Sequence, residues 1–425
     1  MVDTLKIVDE AVACQADVIC LSGLITPSLD EMIRVAQECE KRGLDIPILL
    51  GGATTSPIHT AVKIAPHYSG VVIHANNASD NPKILSQLMG EQRQQYIDEV
   101  KAQQSQICAE YERAIKMRKL ISLDSARGAA KVNSEIIEPA HTGRLVFTDF
   151  DISDVEELID WNFFFMAWGL KGHYPEILED AKYGAEATKL FNDGQEILKA
   201  MKKSRKLILE GSIAIFPAHS EGDDIVVTTP KNKEVRLPML RNQTAGEQNR
   251  SLTDLVAPSG DHIGCFALSA GVGLEKITAE YKAQGDDYSA MVAKLIADRL
   301  CEAFAQRVHD FVRREMWGFQ GSEVLSARDI MRDKYQGVRV AFGYPACPDH
   351  SLKREVFDML SVEMTTHMTL SENYMISPAE SLCGLIFPRG EYFSVGTIDD
   401  EQLEDYAKRR GVTTDEAKRL IPNNI

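Results

Sequence analysis

Three short apolar runs near the amino terminus each end in a loop of glycine, hydroxyl and amide residues. The loops are 22–28 (SGLITPS), 51–56 (GGATTS) and 74–79 (HANNAS). Glycine lets a ligand approach the backbone closely, and hydroxyls and amides offer hydrogen bonds without net charge. Since the chain contains neither GxGxxG nor GxxxxGK[ST], these loops favour a large, flat, polar-rimmed ligand over a phosphate. The alternative is that they are helix caps and tight turns, which Ser28 and Ser56 would suit.

A second distinctive segment is 339–350, with the sequence RVAFGYPACPDH. Its prolines and glycine exclude a helix and fix an irregular backbone. Arg339 could offer its planar fork to a carboxylate, and Tyr344 could stack on a flat ring. The alternative is an ordinary structured loop. Cys347 and His350 do not indicate a metal site, because no further cysteine or histidine lies near them in the sequence.

Two acidic residues adjoin apolar segments. Asp160 precedes the aromatic run 161–168 (WNFFFMAW), and Glu302 lies in the helical pattern LCEAFAQRV beside an apolar stripe. A carboxylate in such a place is either a solvated flank or a buried group able to receive a ligand ammonium. The pattern alone leaves both alternatives open.

The segments that would carry the three loops alternate between helical spacing of apolar residues and short, continuously apolar runs typical of buried strands. Within 1–100, four segments with helical spacing alternate with the short apolar runs DVICLSG, IPILLGG and GVVIHA. This order predicts βαβ units and a parallel, doubly wound, Rossmann-like sheet, whose strand ends would bring the loops to one edge. Only three strands are visible where about five are usual, so we expect a sheet truncated at its amino-terminal edge.

The remaining chain shows no regular βα alternation. We interpret 101–135 as a connecting helix and linker, and 136–425 as an α+β domain with antiparallel strands and long helices. Its predicted parts are a helical stretch over 153–210 that starts at a capping box of Ser153 and Glu156, and a long helix from about Tyr288 to Trp317. A hairpin with PRGE at its turn and two short acidic-basic helices complete it.

The composition excludes several classes of function. Lysine and arginine number 47 against 63 aspartates and glutamates, a net charge of −16 that disfavours nucleic acids and anionic membranes as partners. The eight cysteines lie far apart without a CxxC, which predicts reduced core residues of a cytoplasmic protein. Charges interrupt the amino terminus, and no segment approaches 18 uncharged apolar residues, so neither secretion nor a membrane span is expected.

Four strings, in this order, carry a family resemblance: LSGLITPSLDEM, GGATTSPIHTAVKIAPHY, IDW with FFMAWGL, and RVAFGYPACPDH. Together they resemble the carboxy-terminal half of cobalamin-dependent methionine synthases over nearly the whole chain. The resemblance implies a partial cobalamin-binding domain followed by an S-adenosylmethionine-binding activation domain. The positions matching S-adenosylmethionine contacts are Asp160, Glu302, Arg339, Ala341, Gly343, Tyr344 and Tyr392. The positions matching cobalamin contacts are Ser22, Thr26, Ser28, Gly51, Gly52, Ala78 and Ser79.

The resemblance also implies roles for these residues. Arg339 would face the carboxylate of S-adenosylmethionine, Tyr344 its adenine, and the two acids its amino and charged regions. Ser28 matches the serine that ends a relay to the cobalt-ligating histidine. Asp298 matches a residue that engages that histidine once it is displaced, so a part in reactivation is possible for it.

The implied activity is the reactivation step of a methyltransferase in methionine biosynthesis. An electron from a flavodoxin-type donor and a methyl group from S-adenosylmethionine would convert cob(II)alamin to methylcobalamin. The family's DxHxxG motif, its zinc-binding homocysteine domain and its folate domain have no match here. We therefore expect a fragment that has no metal site, cannot alone methylate homocysteine, binds cobalamin weakly or not at all, and has the upstream domains as partners. The alternative is a non-catalytic S-adenosylmethionine-binding module that acts in trans on a separate cobalamin protein.

Overall fold

The computed structural model describes residues 2–23, 27–52, 54–117, 119–321 and 325–425 of the chain. The chain forms two compact units, Met1–Lys119 and Leu120–Ile425. The boundary between them falls inside the segment 101–135.

The first unit contains a three-stranded parallel sheet in the order β1-β2-β3. Its strands are β1 (Ile19–Ser22), β2 (Ile48–Gly51) and β3 (Val72–His74). Its helices are α1 (Thr4–Ala13), α2 (Pro27–Lys41), α3 (Pro57–His59), α4 (Asn81–Leu88) and α5 (Arg93–Met117). The predicted alternation of helices with three parallel strands is confirmed, whereas the wider doubly wound sheet stays a prediction.

Both faces of this sheet are covered, which explains why its strands are continuously apolar. Ile48 and Leu50 pack into one cluster with residues of α1 and α2, while Leu49 and Ile73 pack into another with α4. Helix α5 adds to this unit, because Gln104 Nε2 donates to the carbonyl of Val72 at 2.6 Å.

The second unit is built on a seven-stranded antiparallel sheet in the order β7-β6-β5-β8-β12-β9, with β4 also pairing with β5. Its strands are β4 (Gly143–Phe150), β5 (Ile208–Glu221), β6 (Asp224–Thr228), β7 (Glu234–Pro238), β8 (Asp261–Val272), β9 (Val338–Ala341), β10 (Thr369–Leu370), β11 (Ile376–Ser377) and β12 (Ser381–Phe387). Its helices are α6 (Leu123–Gly128), α7 (Trp161–Ala167), α8 (Gly184–Ser204), α9 (Leu274–Ala283), α10 (Asp287–Phe311), α11 (Ala327–Ile330), α12 (Lys353–Leu360), α13 (Val362–Thr365), α14 (Asp400–Arg410) and α15 (Thr414–Leu420).

The central strands β5 and β8 separate two cores. Ile213 and Phe266 face the core that contains α8 and α10, and Ala214 and Cys265 face the core that contains α12. The long predicted helix is confirmed as α10, which starts at an Asp286 cap and continues into a π-helical turn, Val312–Met316. The α+β architecture and the two short carboxy-terminal helices are confirmed as well.

Two local predictions are wrong. No capping box starts at Ser153, because the Asp151 carboxylate accepts the Ser153 amide at 2.8 Å and Glu156 instead pairs with Lys202 at 2.7 Å. Short 3-10 turns occupy that segment. The PRGE hairpin is also absent, since β12 pairs with β8 and β9 and the described residues 388–398 form no strand. Pro388 cannot donate a ladder hydrogen bond after β12.

All eight cysteines are free, as predicted for reduced thiols. Five are buried and Cys108 is partly buried, but Cys14 and Cys20 are exposed, so the core assignment is wrong for these two. In the described ranges, no helix combines the length and apolar character that crossing a bilayer requires.

Candidate functional site

Strand β9 sets the direction of Arg339. Val338 and Val340 are buried in the core beside α12, so the alternation of the strand turns Arg339 and Ala341 to the opposite face. Strand β12 fixes the register, pairing Gly384 with Ala341. The arginine is therefore held on a regular element, which restricts its position more than a loop would.

Arg339 retains unused hydrogen-bonding capacity. Its side chain is 12% exposed, and within the described ranges it pairs with the carboxylate of Glu302, with 3.7 Å between Nη2 and Oε2. That separation exceeds the 2.7–2.9 Å typical of a charge-assisted hydrogen bond. Arg339 Nε is buried and has no hydrogen-bond partner among the described residues. This arginine can therefore receive a carboxylate ligand without losing a strong pairing.

A tight turn after β9 presents Tyr344. Gly343 has a φ of +91°, its amide donates to the Cys347 carbonyl at 2.8 Å, and the Cys347 amide donates to the Tyr344 carbonyl at 2.9 Å. The ring of Tyr344 is left 47% exposed. Desolvation, reinforced by the Glu302 carboxylate, raises the pKa of Tyr344 to about 12. The phenol thus stays neutral near pH 7 and can pack on an uncharged ring.

Tyr392 lies beside the same turn. The Val395 amide donates to the Pro345 carbonyl at 2.9 Å, which ties the segment after β12 to the turn. The Tyr392 ring is half exposed, and burial of its hydroxyl raises its pKa. Two half-exposed phenol rings are therefore carried by neighbouring segments.

Helix α10 brings its acidic residues to this site on one face. Glu302 lies one turn after Asp298, whose Oδ2 accepts from Arg299 Nη2 at 2.5 Å. Arg299 in turn lies over the Phe163 ring of α7 at 5.4 Å. Asp298 is about half exposed and already paired, so it is positioned as a surface acid at the edge of the site.

Asp160 has a different setting. Its Oδ1 caps α7 by accepting from the Asn162 amide at 2.9 Å. It lines a cavity of about 1010 Å³ together with Trp161, Tyr174 and Arg328, among others. Within the described residues, no hydrogen bond or ion pair joins Asp160 to Arg339 or Glu302. The structure thus groups six of the seven predicted contacts around β9, while Asp160 lies at the start of α7, whose Phe163 ring is covered by Arg299.

Sequence reasoning missed a buried polar layer that interacts with Arg339. His309 is fully buried, and its ring meets the Tyr335 ring edge-on at 5.0 Å. The Arg313 guanidinium lies 4.0 Å from the centre of the Tyr335 ring. Both ring nitrogens of His309 are without a partner in the described part of the chain. The available signal was the spacing of Glu302, His309 and Arg313, at seven and four residues along α10 and the π-helical turn that continues it.

Burial lowers the pKa of His309 well below its ordinary value, and the positive charges of Arg313 and Arg339 lower this pKa further. The unfolded chain takes up this proton near pH 6.5 whereas the folded chain does not, so stability should fall as the pH drops below 6.5, by about 1.4 kcal/mol per pH unit for this group. We expect His309→Phe to reduce this fall of the free energy of unfolding between pH 6.5 and lower pH. Urea unfolding between pH 7.5 and 4.5, followed by tryptophan fluorescence, measures it, because all three tryptophans lie in the second unit. The exposed His141→Phe is the control, and parallel curves for His309→Phe and the wild type would contradict the assignment.

In the first unit, the strand register brings the three loops to one edge. Ser22 pairs with Gly51, and Leu50 pairs with His74. Gly52 has a φ of +107°, and a Cβ there would collide with the backbone of Gly23. A glycine is therefore required where these two loops touch.

This edge offers polar groups to a ligand. Thr54 Oγ1 and His74 Nδ1 are buried without partners among the described residues, although Thr55 Oγ1 lies 3.0 Å from the other ring nitrogen of His74. Buried polar atoms are usually satisfied, so their orphaned state fits a polar ligand here. Ser56, by contrast, caps α3 through the His59 amide, which is the structural alternative for that residue.

The remaining predicted cobalamin contacts that the structure describes follow strands at the same edge. Ser28 is in the first turn of α2, and Ala78 and Ser79 begin a 3-10 turn after β3. Thr26 lies outside the described residues. In the described ranges, no group of three or more histidine, cysteine, aspartate or glutamate side chains could hold a metal ion.

The antiparallel sheet, the helix α10 and the arginine-bearing turn define an α+β domain with a candidate ligand site. Residues 151–411 match the family described as vitamin B12 dependent methionine synthase, activation domain, and the chain belongs to this family. It is also similar to a crystal structure described as the MetH reactivation domain bound to AdoHcy. The two are 36% identical, with a TM-score of 0.69, over 72% of this chain and 98% of that one.

Proposed function

We propose that the second unit binds S-adenosylmethionine at the Arg339–Glu302 site and supports the reductive methylation of cobalamin. The observation that carries the proposal is Arg339, a nearly buried guanidinium on a regular strand that has no close carboxylate partner among the described residues. The AdoHcy-bound relative supports the same ligand class. A flavodoxin-type protein would supply the electron.

The ligand's amino acid end would engage the charged pair. Its carboxylate would accept from the fork of Arg339, and its ammonium would donate to Glu302, whose carboxylate is 3.7 Å from that arginine. Asp160 is proposed as a second acid for the charged region of the ligand. The amino acid end of the ligand would thus replace the long Arg339–Glu302 pair with two short pairs, one from its carboxylate to Arg339 and one from its ammonium to Glu302.

The adenosine end would lie along the turn. Ala341 and Gly343 are partly exposed, although the Gly343 amide already donates to Cys347. Tyr344 and Tyr392 offer half-exposed rings to a flat base. The chain's contribution to methyl transfer is then positioning, since it holds the sulfonium methyl in one orientation.

We propose the sheet edge of the first unit as a cobalamin-contacting surface. Bound cobalamin would supply the cobalt centre that receives the methyl group. Ser22, Gly51, Gly52 and Ser79 would contact it with Thr26, Ser28 and Ala78, and the orphaned Thr54 hydroxyl fits such a ligand. Since the sequence lacks DxHxxG, we expect the chain itself to bind weakly, and a red cofactor retained through gel filtration would contradict that expectation.

Calorimetry with S-adenosylmethionine tests the binding proposal, and no detectable heat at saturating concentrations would refute it. Addition of an intact cobalamin protein, reductant and S-adenosylmethionine then separates two functions. Formation of methylcobalamin, followed by its absorbance, supports the reactivation role. Binding without methylcobalamin formation supports the alternative, a non-catalytic module acting in trans.

A further inference from the structure

Two residues behind the arginine-bearing turn have no part in the site described above. The ring of His350 lies directly under Gly343, where an added Cβ would collide with it. The positive φ of Gly343 and this close approach occur at the same residue, between Arg339 and Tyr344. The His350 ring therefore forms the floor of the turn.

Lys353 holds that ring. Its Nζ lies 2.7 Å from His350 Nδ1 and 3.1 Å from the carbonyl of Tyr374. An ammonium can only donate, so Nδ1 must accept, and the ring proton is assigned to Nε2. The hydrogen bond thus fixes both the tautomer and the plane of the ring.

The lysine is kept in an unfavourable environment. It is 8% exposed, and its hydrogen bonds within the described residues go to a ring nitrogen and a carbonyl, not to a carboxylate. Burial lowers the pKa of Lys353 to about 8, against the opposing influence of Cys383 on β12 and of Asp349. The Asp349 carboxylate is itself engaged by the Ser351 amide and the Tyr406 hydroxyl. Burying an ammonium that forms no ion pair among the described residues costs free energy. The hydrogen bond to His350 is therefore one of the few contacts that offset this cost.

We propose that His350 and Lys353 are positioning residues of the ligand site, in which Lys353 presses the His350 ring against Gly343 and so fixes the turn that carries Arg339 and Tyr344. This inference rests on the proposed binding of S-adenosylmethionine. It adds two residues that never touch the ligand but determine how tightly it binds.

The test compares Kd for S-adenosylmethionine between wild type and Lys353→Met by calorimetry at pH 7. Loss of the charge-assisted hydrogen bond should raise Kd about 10-fold. Lys353→Arg, which keeps charge and donors, should recover most of the affinity. Lys231→Met, in an exposed turn, is the matched control and should bind as wild type does.

The pH profile separates positioning from a merely structural role. As the pH rises through about 8, Lys353 of the wild type loses its charge, so the ratio of the variant Kd to the wild-type Kd should shrink toward one. Titration of the ligand itself cancels in this ratio. A ratio that is constant from pH 6.5 to 9.5, or equal to one at pH 7, overturns the inference.

If Lys353→Met does not fold, Lys353→Gln replaces it, because glutamine is neutral but keeps a hydrogen-bond donor. The ratio of its Kd to the wild-type Kd should also shrink toward one as the pH rises. Tryptophan fluorescence checks the folding of every variant. If the wild type itself binds no S-adenosylmethionine, the proposed function fails, which is a different outcome from equal binding by wild type and variant.

Discussion

Arg339→Ala is expected to raise Kd for S-adenosylmethionine by ~30-fold or more, since the cost of truncating one partner of a buried, hydrogen-bonded charge pair is about 2–5 kcal/mol. The carboxylate would lose a bidentate partner held on a strand, and Glu302 would remain as an uncompensated like charge. The stability of the second unit should change much less, because the 3.7 Å pair with Glu302 is weak in the unliganded protein. Calorimetry for binding and urea unfolding for stability measure the two effects separately.

Two further variants sharpen this result. Arg339→Lys keeps the charge but cannot present a planar fork, so it should recover only part of the affinity. Arg419→Ala, an exposed arginine of α15, is the matched control and should leave binding unchanged. Equal affinity of Arg339→Ala and wild type would place the ligand elsewhere, and the cavity beside Asp160 would become the next candidate.

The sequence was informative wherever the chemistry was local. The residue types at 339–350 predicted a non-helical backbone after Arg339, which the structure confirms. The three strand ends with polar loops were also predicted in the correct order along the chain. Both signals lie within about a dozen residues. Patterns of that length are read directly from residue types.

Non-local pairing and burial were not readable in the same way. Strand β12 was expected to fold back in a hairpin, but its partner β8 lies more than a hundred residues earlier, and no local pattern encodes that distance. The burial of His309 likewise depends on what packs against its helix, which the spacing of residues along the helix does not specify. Lys353 was overlooked for the same reason, since a lysine is rarely buried without a counter-ion.

A buried ion network in the second unit gives the other large expected effect. Asp223 is 2% exposed, and its two carboxylate oxygens accept from Arg127 Nε at 2.7 Å and Arg241 Nε at 2.9 Å. Arg241 is also 2% exposed and forms a bidentate pair with Asp254 at 2.7 and 2.8 Å. Arg409 of α14 donates to the Asp223 carbonyl at 3.0 Å. The Asp223 carboxylate therefore joins Arg127 of α6 to Arg241, and the Asp223 backbone carbonyl links the carboxy-terminal helix α14.

Asp223→Ala should lower the free energy of unfolding of the second unit by about 3–5 kcal/mol, because removing one partner of a buried ion network leaves uncompensated charge. Arg241 would keep Asp254, but the cluster would lose the negative charge that lies between Arg127 and Arg241. Urea unfolding followed by tryptophan fluorescence measures the loss. Asp149→Ala removes an exposed pair with Arg205, whose side chains are 58% and 72% exposed, and should change stability by less than about 1 kcal/mol. Equal free energies of unfolding for Asp223→Ala and Asp149→Ala would contradict this prediction, because the pairing of Asp223 would then only balance the cost of its own desolvation. In that case Asp223→Asn, which has a similar shape, should also leave the free energy of unfolding unchanged.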